Sequence, residues 1–118
     1  MQGDLDHEDR DVLALLDDEY ARAILRATSL ETMSASALSE ECDMSLPTVS
    51  RRVNRLVDRG FLAEYSHMDP DGHHFNEYEA RLDRVVVELL SGRFALNVTV
   101  REDAADRFTR IWREMRND

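Results

Sequence analysis

Residues 45–60 read SLPTVSRRVNRLVDRG and hold four arginines, Arg51, Arg52, Arg55 and Arg59, within a 118-residue chain whose formal net charge is −10. From Ser45 to Arg59 the balance, with Asp58, is +3, while all other residues together carry −13. Ser45 suits an N-cap, and Pro47 fits a first helical turn, where its missing N–H has no intrahelical acceptor to lose. Gly60 supplies the left-handed residue that commonly ends helices. A helix over 45–59 is therefore predicted. At about 100° per residue, Leu46, Val49, Val53, Leu56 and Val57 fall in one apolar arc, and Thr48, Arg51, Arg52, Arg55 and Arg59 gather opposite it. Positive charge is thus concentrated where a polyanion would touch, and the planar guanidinium suits both phosphate and the guanine edge.

Upstream, HEDRDVLALL and DDEYARAILRAT set Val12, Leu13, Leu16, Tyr20, Ile24 and Ala27 at helical spacing, as one helix or as two broken near Asp17 and Asp18. Ser34 or Ser36 can cap a short helix over SALSEEC, in which Leu38 and Cys42 lie four apart. Downstream, FLAEYSHM and HHFNEYEARL flank DPDG, a turn signal, and predict a hairpin. RLDRVVVELL and FALNVTV extend the strand-like pattern around Ser91, Gly92 and Arg93, with Phe94, Leu96, Val98 and Val100 alternating, although VVVELL also suits a helix. Residues 102–117 spell an amphipathic helix with Ala104, Phe108, Ile111, Trp112 and Met115 on one stripe; its acids lead and its arginines follow, as the helix dipole favours. One domain over 1–118 is predicted, with 8–80 as its core and 81–118 adding strands and the last helix.

All 15 basic residues are arginines, against 25 carboxylates. The absence of lysine beside such an acid excess points to concentrated salt, where screening makes a high negative charge tolerable. The lone Cys42 cannot form an internal disulfide, and no apolar run approaches the length that spans a bilayer. The start MQGDLDHEDRD lacks the basic flank and apolar stretch of a signal peptide. A soluble cytoplasmic chain with no membrane partner is expected. Without a phosphate-cradling glycine loop, a nucleophile motif or a metal-ligand cluster, an enzyme is not expected, and no catalytic residue is assigned.

A short helix, a tight turn, an arginine-faced helix and a hairpin follow the order of a winged helix-turn-helix module. Residues 33–80, MSASALSEECDMSLPTVSRRVNRLVDRGFLAEYSHMDPDGHHFNEYEA, resemble the core of ArsR-type transcription regulators, whose recognition helix ends in a pattern matched here by Leu56-Val57-Asp58-Arg59-Gly60-Phe61-Leu62. The acidic, lysine-free composition is similar to that of haloarchaeal members, and the short C-terminal helix to that of PadR-like regulators, the RosR-like oxidative-stress regulators among them. The resemblance implies an α+β winged helix-turn-helix fold, extended here by an additional β-hairpin and a C-terminal amphipathic dimerisation helix. It also implies that Pro47, Thr48, Ser50, Arg51 and Arg52 face double-stranded DNA. Angular position on the helix adds Arg55 and sets Ser50 nearer the core edge. Ser34, Ser36 and Ser45 read equally as simple caps or as phosphate contacts. Where many wings insert a basic residue, this tip offers Asp69 and Asp71 with His73 and His74.

The expected function is that of a sequence-specific DNA-binding transcription regulator. As a homodimer joined through Phe108, Ile111, Trp112 and Met115, it would present two recognition helices about 34 Å apart to a pseudopalindromic operator. The alternative is a winged-helix protein–protein interaction module without DNA binding. No metal site is assigned: metal-sensing relatives use a cysteine pair near EECD where this chain has only Cys42, and His67, Asp69, His73 and His74 are read as polar wing residues because adjacent histidines point to opposite strand faces. Cys42 is read as a small apolar residue in preference to a redox trigger. No cofactor is expected beyond K+ or other salt cations at the DNA interface, where they would offset the repulsion between the acidic body and phosphate.

Overall fold

Two aspartates decide where the first helices begin. In the computed structural model, which describes residues 3–101 and 115, Asp6 and Asp9 form a capping box that starts α1 (His7–Asp17). The Asp18 carboxylate accepts the N–H groups of Tyr20 and Ala21 at 2.8 and 3.0 Å and starts α2 (Glu19–Leu30). The break at Asp18 resets the helical phase. Leu15, Ala21 and Thr28 therefore join Val12 and Ile24 inside, whereas Tyr20 lies exposed and Leu13 and Leu16 only half-buried. Thr28 is the only buried polar residue among those described; its hydroxyl donates to the Ile24 carbonyl at 2.7 Å, so its burial leaves no unmet donor.

Met33 and Ser34 form a two-residue strand, β1 (Met33–Ser34), that no pattern in the sequence foretells. Ser34 then caps α3 (Ala35–Glu41) by accepting the Ala37 N–H at 3.2 Å. The connection to the next helix turns on Asp43, whose φ of 51° lies in the left-handed region that aspartate tolerates. Ser39 closes it, donating its hydroxyl to the Met44 carbonyl at 2.6 Å and accepting the Met44 N–H on its own carbonyl at 3.1 Å. Met44 is thereby buried. Ser45 caps α4 (Leu46–Asp58), and Gly60, at φ 75°, follows the helix end.

The core gathers Val49, Val53 and Leu56 of α4 with Leu15, Ile24, Leu38, Phe61, Leu62, Tyr78 and Ala80. Leu46 departs from the apolar arc expected for it: at the first position of α4 it is 48% exposed, and the buried stripe starts one turn later. Strands β2 (Leu62–Met68) and β3 (His74–Ala80) form the wing hairpin, and β1 adds to the outer edge of β3, in the order β1-β3-β2. VVVELL is a strand. It belongs to β4 (Leu82–Leu90), which pairs with β5 (Arg93–Val100) through a two-residue turn in which Ser91 and Gly92 have φ of 54° and 81°, the double positive value of a type I′ hairpin. The fold is thus the expected α+β winged helix-turn-helix with an additional β-hairpin. The predicted C-terminal helix, with Phe108, Ile111 and Trp112, lies outside the described residues; Met115 is helical and exposed.

The two sheets meet at one joint. The Phe61 carbonyl accepts the N–H groups of both Arg81 and Leu82, at 2.8 and 3.2 Å. Arg81 also donates its Nε to the Arg101 carbonyl at 2.7 Å, which ties the end of β5 to the start of β4.

Candidate nucleic-acid interface

Helix α4 presents its surface in three strips. The inner strip is the buried Val49, Val53 and Leu56. Arg52 and Arg59 form a flank turned toward α1 and α2, a quarter turn or less from the buried strip at about 100° per residue. The outward strip holds Pro47, Ser50, Arg51 and Asn54, all exposed, and ends at Asp58.

The flank is a set of ion pairs. Arg52 donates its Nε to Asp18 Oδ2 at 2.8 Å, with the two side chains only 22% and 19% exposed, and its guanidinium lies 5.6 Å from the centroid of the Tyr20 ring. Arg59 donates through Nε and Nη2 to Asp11 Oδ2, both at 2.7 Å, and Arg55 reaches Asp11 Oδ1 at 3.3 Å. Three of the four arginines that helical angles alone set opposite the core are thus held by α1 and by the cap of α2. The physical reason is the position of the buried arc: Leu46 is exposed and Val57 only half-buried, so the arc narrows to Val49, Val53 and Leu56 and its centre moves toward Leu56, which brings Arg52 and Arg59 alongside the neighbouring helices.

Each carboxylate responds. The Arg59 hydrogen bond, opposed by some desolvation and reinforced by the Arg59 and Arg55 charges, holds Asp11 below the ordinary carboxylate range. Partial burial pushes Asp18 up, but the Ala21 N–H, the bonded Arg52 charge and the Tyr20 N–H together outweigh it and leave its acidity strengthened.

The N-terminal end of α4 carries the remaining predicted contacts. The Ser45 hydroxyl donates to Thr48 Oγ1 at 2.9 Å and accepts the Thr48 N–H at 3.3 Å, so both side chains serve the cap first. Thr48 is half-buried. Ser50, expected nearer the core edge, is exposed. Arg51, the one arginine of α4 with no acidic partner among the described residues, sits over Thr48 at 3.5 Å from its hydroxyl. Ser36 is exposed, and Ser34 caps α3. Asn54 is absent from the contacts expected from sequence. Its position four residues after Ser50 and three after Arg51, away from the buried Val49, Val53 and Leu56, is the signal that reveals it.

The wing tip is acidic. Asp69 Oδ1 accepts the N–H groups of Asp71 and His73 at 3.0 and 2.8 Å, and Asp69, Asp71 and His73 bring ligand atoms within 4.8 Å of one another. His67 stands apart from them, paired with Glu77 at 2.9 Å and stacked on Phe75 at 5.3 Å between ring centroids. His74 begins β3 and is exposed. Cys42, the C-cap of α3, is half-buried, with its Sγ 3.7 Å from the Ala23 carbonyl; burial, aided by Glu41, pushes its thiol pKa up.

Residues 16–65 match the family model of a helix-turn-helix domain. The match runs from the end of α1 into β2 and so takes in α3, the Asp43 turn and all of α4. No curated protein matches the chain. Among the described residues, no helix is long and apolar enough to cross a membrane.

Proposed function

We propose that the chain is a sequence-specific DNA-binding transcription regulator that lays the outward strip of α4 in the major groove. The observation that carries this reading is the exposed run Pro47, Ser50, Arg51 and Asn54 on the second helix of a helix-turn-helix domain. Ser45, Thr48, Arg52 and Arg55 then serve chiefly to fix that helix, with Arg55, the longest and most exposed of the pairs at 3.3 Å, able to exchange Asp11 for a phosphate. His73 and His74 at the wing tip meet the duplex only where the acidic turn is screened.

The regulator acts as a homodimer. Supporting this, the register of β4 and β5 sets Val85, Val87, Leu89, Phe94, Leu96 and Val98 on one face of a two-stranded sheet; Val85 and Leu96 pack against the core, and Val87, Leu89, Phe94 and Val98 continue the face beyond it, with Leu89 62% and Phe94 45% exposed. An apolar face that runs on past the core calls for cover. The segment from Arg81 to Arg101 carries a small net positive charge, so two copies of an otherwise acidic chain can meet there without strong repulsion. The dimerisation role expected from sequence for Phe108, Ile111, Trp112 and Met115 accords with this reading. A two-fold dimer reads a pseudopalindrome, in high salt with K+ or other cations between carboxylates and phosphates. Subtype resemblance to haloarchaeal ArsR-type and PadR-like regulators accords with this reading.

One observation favours a different reading. Arg52, Arg55 and Arg59 are engaged by acids of their own chain, as suits a winged helix that joins proteins and leaves DNA alone. Enrichment of bound fragments from a genomic DNA pool in molar KCl separates the two. A palindromic motif, lost in Arg51→Ala, is expected; no motif from the wild-type protein would transfer the assignment to the interaction module.

A further inference from the structure

Once Arg52, Arg55 and Arg59 are assigned to Asp18 and Asp11, two side chains with planar hydrogen-bonding heads remain on the outward strip of α4: Arg51 and Asn54. Asn54 makes no side-chain hydrogen bond to any described residue, and it occupies the middle of a 13-residue helix. Asparagine is a poor choice there for the helix itself, since its amide competes with the backbone for hydrogen bonds. Its side chain therefore does nothing for the fold that alanine would not do better.

The carboxamide offers a donor and an acceptor side by side. That is the pattern complementary to the N6 and N7 edge of adenine in the major groove, as the arginine fork is to guanine O6 and N7. Three residues of helix rise are about 4.5 Å. The spacing of successive base pairs is about 3.4 Å, so two side chains so placed reach neighbouring base pairs when the helix lies in the groove. One turn beyond Asn54, Asp58 presents a bare carboxylate to the same side and ends the strip that can face a duplex.

We propose that Asn54 is a specificity-determining residue that selects adenine in the operator half-site, next to the guanine selected by Arg51. This rests on the DNA-binding reading above. Ser50 and Pro47 fill the space over the adjoining step and carry little sequence information.

The test is selection of bound DNA from a randomised duplex pool at one fixed KCl concentration, with wild type, Arg51→Ala and Asn54→Ala compared by sequencing, and thermal unfolding recorded for each. Wild type is expected to enrich a motif containing a guanine and a neighbouring adenine. In Asn54→Ala the preference for that adenine over other bases should fall about tenfold while the rest of the motif persists, and its melting temperature should stay level or rise. In Arg51→Ala the neighbouring guanine preference is lost instead. A motif from Asn54→Ala with unchanged base frequencies overturns this inference and leaves DNA binding standing. Absence of any motif from wild type overturns the DNA-binding reading, and this inference with it.

Discussion

The Asp18 carboxylate does two jobs at once, capping α2 through the Tyr20 and Ala21 N–H groups and holding Arg52 of α4 at 2.8 Å. The start of one helix is thereby fixed to the middle of another, and the tilt of α4 on the domain is set by a charge as well as by the packing of Val49, Val53 and Leu56. The ion pair is only about one-fifth exposed, so water competes for it less than for a surface pair.

Asp18→Ala removes the cap and the pair together and should destabilise the domain by about 1–2 kcal/mol, mostly through the cap. Asp18→Asn keeps a capping oxygen and should lose less. Chemical denaturation of both variants, read at the midpoint, orders them; equal losses would mean that the charge, and not the cap, dominates.

Asp11→Asn releases Arg55 and Arg59 from their shared carboxylate. If α4 lies against DNA, the freed guanidinium groups bind additional phosphates, and the plot of log affinity against log KCl should steepen by about one unit for each phosphate newly neutralised. Fluorescence anisotropy across a KCl series measures this slope, and an unchanged slope would show that neither arginine reaches the duplex.

Both pairs weaken in acid. Because Asp11 and Asp18 titrate below the ordinary carboxylate range in the folded protein, they contribute stability that is complete above about pH 4 and lost as pH falls through their lowered folded values. Thermal melts of wild type at descending pH should show this loss, and the Asp11→Asn/Asp18→Asn double variant should show a shallower acid limb.

Leu56→Ala empties a fully buried position in the middle of the core and should cost about 2–5 kcal/mol, enough to abolish much of a small domain's stability. If the proposed dimer forms through the exposed apolar face of the β4–β5 hairpin, Phe94→Glu should leave the melting temperature of the monomer nearly unchanged while converting the dimer to monomer in sedimentation equilibrium.

Where local chemistry decides the structure, the sequence is a good guide. Ser45, Pro47 and Gly60 bracket α4, DPDG turns the wing, and the alternation of Phe94, Leu96 and Val98 marks a strand, because each of these signals acts within a few residues. Sequence and structure part where distant residues intervene. Whether Arg52, Arg55 and Arg59 face solvent depends on Asp18 and Asp11, which lie 34 to 48 positions away, and no periodicity within α4 encodes that. VVVELL is ambiguous between helix and strand because its propensity is shared; pairing with β5 across the Ser91–Gly92 turn settles it. The short β1 has no hydrophobic pattern of its own and exists because β3 offers an edge to Met33 and Ser34.

Only Arg81 stands between the last residue of β3 and the first of β4. Successive side chains of a strand point to opposite sides, and the register of β4 on β5 shifts between Leu82 and Arg84, so Arg81 and the irregularity at Asp83 together determine which side of the second sheet bears Val85, Val87 and Leu89 and which bears Arg84, Val86 and Glu88. Removing the extra residue at that shift would turn the rest of the second sheet over relative to the core, against which Val85 and Leu96 now pack. The joint thus holds two places where one residue more or less changes which face meets the core, and a change at one can be offset by a change at the other.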